Sequence, residues 1–222
     1  MDLATTTTQV TEILNASLDD LTGSGRLSTL PPVPWGTWEL PGGDTTALWT
    51  YGLPPDRDDG LLGVGAAFQD NTRPDEAIGD FSLYLLGGFG VGRLAAVAGA
   101  GSVFYLPRYT EVHPQLQQLY PEGINPSPAN SSVAAFIDCA WRWHWLLPVL
   151  VRAEIQIDDE EVAWFRAHRD QAARGELEPT ESDRNHEGYR DLCRGILASF
   201  QVRDGAITSA DSLWAETILG PQ

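Results

Sequence analysis

Val10, Ile13, Leu14, Leu18 and Leu21 recur at three- and four-residue intervals, the spacing of one apolar stripe on an amphipathic helix. The pattern predicts a helix over about residues 8–21, ended by Gly23 and Gly25. Between residues 28 and 43 the periodicity is lost, and Pro31, Pro32, Pro34 and Pro41 remove backbone donors. This stretch is expected to run as an extended cover with Trp35 and Trp38 packed on the core. The run from Leu48 to Pro54 reads as a short helix closed by glycine and proline. Four short apolar runs come next, at residues 61–68, 81–87, 93–98 and 102–106, bounded by Gly, Pro, Asp and Asn. Their length and bounding turns predict strands. A gap as short as 99–101 has no room for a crossover helix, so at least the later strands should pair antiparallel. Residues 107–129 read as irregular, with room for one short turn of helix at 116–119.

Helical periodicity resumes at Ser131, where Asn130 or Ser131 can cap the free N–H groups. Val133, Phe136, Ile137, Ala140, His144 and Leu147 form one face, and Trp141 and Trp145 project from another beside Asp138 and Arg142. Pro148 is expected to end or kink this helix. A second helix is expected to open at Asp158-Asp159-Glu160-Glu161 and to carry Val162, Trp164, Phe165 and His168. After a polar linker at 176–183, a third places Tyr189, Leu192, Cys193, Ile196, Leu197 and Phe200 on one face, with Arg190, Asp191 and Arg194 opposite. A terminal helix spans 211–219. The whole predicts one α+β domain over residues 1–222: a twisted, mostly antiparallel sheet (48–129) flanked by an N-terminal helix and proline-rich cover (1–47) and a C-terminal helical part (130–222).

Charge changes the functional picture more than the fold. The net charge is −17, and every basic residue is an arginine. Nucleic acid and anionic membranes are disfavoured partners for such a chain, and a basic protein is the natural one. No basic region followed by an apolar run opens the sequence and no stretch is apolar enough to span a bilayer, which predicts a cytoplasmic protein. Cys139 and Cys193 sit among apolar neighbours in predicted helices, so free thiols are expected rather than a disulfide or a metal site.

Three constellations could carry function. The first is the glycine-rich run from Gly87 to Gly92, in which Gly90 opens a Gly-x-Gly-x-x-Ala match, the skeleton of a dinucleotide-binding turn, with Glu111 at ribose distance. The glycines that interrupt the following segment favour a plain hairpin instead. The second is the acidic run Asp158, Asp159, Glu160 and Glu161, extended by Glu154, Asp170, Glu176, Glu178, Glu181, Asp183 and Glu187. Carboxylates in a first helical turn are stabilised by the helix dipole, and a solvated face is their ordinary role. Their number exceeds what capping needs, and such a region can steer a cationic partner and occupy its phosphate-binding groove. The third is the pair Trp141 and Trp145, which either pack between layers or anchor a partner. His113, His144, His168 and His186 are scattered without metal-ligand or triad spacing, and a contact of Glu160 or Glu161 with His168 would be an ordinary surface pair.

Gly52-Leu53-Pro54 before the sheet, Asn130-Ser131-Ser132 at a helix start and Ser212-Leu213-Trp214 in the last helix succeed one another at a characteristic spacing. In this the chain resembles the SUKH superfamily of bacterial immunity proteins, most closely its fourth group. The resemblance implies an α+β fold that binds and neutralises a toxin and carries neither catalytic residues nor a cofactor. The leading expectation is an immunity protein that binds a basic nuclease or deaminase toxin domain and blocks its substrate groove through Glu154, Asp158, Asp159, Glu160, Glu161, Trp141 and Trp145. A general interaction adaptor of the same fold and a nucleotide-binding enzyme using the Gly90 turn are the alternatives, and the oligomeric state is open.

Overall fold

The structure, a computed structural model, describes residues 3–23, 37–55, 64–65, 76–78, 81–90, 92–107, 126–172, 181–208 and 212–220. The N-terminal helical stripe folds as two helices, α1 (Leu3–Asn15) and α2 (Leu18–Thr22). Helix α1 starts earlier than the apolar spacing suggests, through a threonine-rich run in which the Thr7, Thr8 and Thr11 hydroxyls donate back to the carbonyls of Leu3, Ala4 and Thr7. The break comes at Ser17, whose hydroxyl accepts from the Asp20 N–H at 3.1 Å and restarts the chain as α2. Helix α3 (Gly42–Thr50) begins directly after Pro41, so the expected cover ends sooner than predicted. Within that cover Trp38 packs on the core as expected, its ring stacked 4.6 Å from Tyr84. Trp35 lies outside the described residues.

Six strands, β1 (Val64–Gly65), β2 (Glu76–Ile78), β3 (Phe81–Phe89), β4 (Gly92–Val97), β5 (Val103–Leu106) and β6 (Ser127–Asn130), form one sheet in the order β1-β3-β4-β5-β6. Strand β2 pairs with the outer edge of β3 as well. Every pairing is antiparallel, as the short connections require. Strand β6 is not legible in the sequence, because Pro128 argues against a strand; at the sheet edge a missing donor is tolerated. The rest of the first predicted strand and the turn at 116–119 lie outside the described residues.

The glycine-rich run is a hairpin. Gly90 turns with φ 55°, and Phe89 pairs with Gly92 as β3 reverses into β4. A Cβ at Gly92 would stand 2.1 Å from the Tyr105 ring, so any larger residue there requires that side chain to move. Gly92 opens a strand rather than a helix, so no helix N-terminus is present there to receive a pyrophosphate, and the favoured hairpin holds over the dinucleotide alternative.

Helix α4 (Val133–Ala167) is the axis of the molecule at 35 residues. It does not end at Pro148, and Asp158 to Glu161 lie in its interior rather than in a first turn. Leu146 and Leu150 are buried on either side of the proline, so packing holds the helical course across the lost hydrogen bond. Short helix α5 (Arg169–Ala172) comes next, then α6 (Glu181–Arg203), which begins inside the expected linker, and α7 (Leu213–Leu219). The predicted face of α6 is confirmed: Cys193, Ile196, Leu197 and Phe200 are buried. The main core joins Tyr84, Leu86, Leu94 and Val103 from one sheet face to Phe136, Ile137, Phe200 and Trp214 from the helices. Leu83, Leu85, Ala95 and Val97 make a smaller cluster on the other face.

Candidate partner-binding surface

The three sequence patches converge on the start of α4, and they do so as structure. Ser132 caps the helix by accepting from Ala135 N–H at 3.1 Å, a role expected of Asn130 or Ser131. Asn130 is instead a buried junction: its amide donates to Asp204 Oδ2 at 2.9 Å, and its Oδ1 accepts from Trp214 Nε1 at 2.8 Å. Asp204 also accepts from the Ser131 and Ala206 N–H groups. Burial pushes the Asp204 carboxyl up, but these hydrogen bonds outweigh it and hold it below its ordinary value. Asp44 of α3 takes the Ala134 N–H, and Gly52 O takes the Trp141 indole N–H at 3.1 Å. Each patch therefore supplies a partner for a polar group that would otherwise be orphaned at the helix start or, for Trp141, two turns into the helix.

Trp141 is 5% exposed and fully engaged, so it belongs to the core and is removed from the candidate surface. Trp145 is 46% exposed, with its indole N–H held by Leu21 O at 2.8 Å. Arg142, between them, is buried. Its guanidinium reaches Asp138 and the carbonyls of Ile13, Leu14 and Ala16, closing the C-terminal end of α1. Arg203 adds a second bond to Leu14 O and a pair with Asp138.

The acidic residues gather on the distal half of α4. Glu154, Asp158, Asp159 and Glu160 are exposed and Glu161 half-buried. Glu161 pairs with His186 Nε2 of α6 at 3.0 Å rather than with His168, whose ring stacks on Trp164. Glu160 accepts from Gln156 and Asn185. Being mid-helix, these carboxylates gain nothing from a helix N-terminus, which removes the capping account of them. Asp158, Glu161 and His186 bring ligand atoms within 4.8 Å of one another, the one such group among the described residues. Of the wider acidic set, Glu187 is exposed on α6, whereas Glu176 and Glu178 lie outside the described residues. Exposed carboxylates also occur away from this helix, at Glu12, Asp19 and Asp20.

Sequence reasoning misses what accompanies the acids. Ile155, Val162 and Phe165 are 57%, 46% and 46% exposed on the same helix. Their spacing looks like a core-facing stripe, and nothing local distinguishes an apolar face that meets the core from one that meets water.

A groove of about 530 Å³ between α4, α6 and α7 is walled by Leu147, Leu150 and Ile218, with Glu154, Tyr189 and Cys193 on its lining. Burial pushes the Cys193 thiol up to about 11 and raises the Tyr189 phenol as well, so both are protonated at neutral pH. Cys139, deeper in the core, is pushed up to about 12 by burial. These are quiet groups, unsuited to nucleophilic or general-base work. Among the described residues no helix is long and apolar enough to cross a membrane.

In comparisons with known proteins, the chain is similar to the family described as SUKH-4 immunity protein, whose model matches residues 13–219. No curated protein and no solved structure matches it.

Proposed function

The chain belongs to the SUKH-4 immunity protein family, and from that membership we propose that it binds a cognate toxin domain of nuclease or deaminase type in the cytoplasm and neutralises it by covering the substrate groove. The observation that carries the reading is the family match across residues 13–219, nearly the whole described fold. The family implies a non-enzymatic role, and the protonated, buried thiols are in keeping with it.

A toxin that acts on nucleic acid must present positive charge to phosphate, and an inhibitor that fills the same groove needs negative charge in its place. The distal half of α4 offers that charge. Between residues 152 and 166 five carboxylates face two guanidiniums, Arg152 and Arg166. Glu154, Asp158, Asp159, Glu160 and Glu161 form the acidic part of the proposed surface, with Trp145 as a half-exposed neighbour further along the helix. Binding is stoichiometric and uses no cofactor.

The test is co-expression with the toxin domain encoded beside this gene, followed by co-purification. Protection of the cells together with a one-to-one complex is expected. Continued killing, with no complex formed by the purified pair, would contradict the proposal.

A further inference from the structure

The exposed apolar side chains of α4 form a row. Ile155, Val162 and Phe165 stand at i, i+7 and i+10, which places them on one face over about 15 Å of helix. Each is roughly half exposed, although single exposed apolar residues would call for no account. The buried residues of the same stretch, Leu150, Ala153 and Ile157, lie on the opposite face, so the row is not part of the packing of α4 on its own domain. Asp158 and Asp159 sit within or beside the row, both exposed, and the exposed Arg152 and Arg166 share that face. Phe165 makes an edge-on contact with Trp164 at 5.2 Å, which adds a second aromatic ring beside the row.

We infer that Ile155, Val162 and Phe165 are the apolar anchor of the toxin interface, with Asp158 and Asp159 as the charges that orient a basic partner over it. The inference rests on the immunity reading and deepens it by naming the contact row. Interfaces draw most of their affinity from a few residues desolvated at their centre, and charged neighbours chiefly set orientation and association rate. Charge decides which occupant the row takes. A second copy would bring a net charge of −17 against the first, and an anionic lipid surface would be repelled in the same way. A basic protein surface is the complementary occupant.

The experiment measures binding of the neighbouring toxin domain to the intact protein and to three variants: I155S/V162S/F165S, D158N/D159N and, as a control, V202S. Val202 is 89% exposed on α6 and lies outside the row. Melting curves establish that each variant is folded. The triple variant is expected to weaken binding by about tenfold or more through faster dissociation, and V202S by less than about twofold. D158N/D159N is expected to slow association with a smaller effect on dissociation. If the intact protein binds the toxin and the folded triple variant binds equally well, the inferred row is wrong while the immunity reading stands. If the intact protein does not bind the toxin at all, the reading beneath it fails. Self-association of the intact protein that F165S abolishes would give the row to a second copy and overturn the inference.

Discussion

Asp204 shows how one side chain decides the geometry around it. It gathers the Ser131 and Ala206 N–H groups and the Asn130 amide, and Asn130 in turn holds Trp214. Its carboxyl is held below the ordinary value by these donors despite burial, so it binds its proton more weakly folded than unfolded. The resulting stability is therefore present above the unfolded value of about 4 and is lost as pH falls through the lower folded value. Asp204→Asn should cost about 2 kcal/mol at pH 7, because an amide nitrogen would then face an N–H donor. Urea titrations of both proteins should show this difference shrinking below pH about 4; a difference independent of pH would contradict the account. Residues of this kind are partly legible in the sequence. The Asn-Ser-Ser patch marks a helix start, but Asp204 lies 73 positions from Ser131, and no local pattern announces such a partner. Trp141 escapes a local reading for the same reason: periodicity puts it beside Trp145, and only the carbonyl of Gly52, 89 positions away, reveals it as buried.

At the scale of elements, the hairpins and the α6 face can be read because their signals are local: short gaps between apolar runs, and a three-to-four periodicity. Helix α4 cannot. Pro148 imitates a stop and the run from Asp158 to Glu161 imitates a start, so local chemistry splits into two what tertiary packing keeps as one. The continuity matters for function, since a single rigid helix carries the acidic residues and the exposed apolar row outward from the core. Its proximal half is held by Arg142, which ties α4 to the end of α1 through three carbonyls and is itself oriented by Asp138 one turn back on α4. Arg142→Ala should cost about 3 kcal/mol or more, as it leaves buried carbonyls and one carboxylate short of donors. Denaturant unfolding checks this; a loss under about 1 kcal/mol would mean that Arg203 alone suffices as the clamp.

Across the whole molecule the proposed function makes the excess of negative charge the factor that would set the kinetics of association. With a net charge of −17 and acids concentrated on an outward helix, encounter with a basic toxin should be accelerated by long-range attraction, which salt screens over about 10 Å at 0.1 M. The apolar row is screened hardly at all, so dissociation should respond weakly to salt. The association rate with the neighbouring toxin domain, measured from low to high ionic strength, tests the central claim most directly. A fall of about tenfold or more, reduced in D158N/D159N and accompanied by a nearly constant dissociation rate, is the predicted result. An association rate indifferent to salt, or equal in the two proteins, would contradict it.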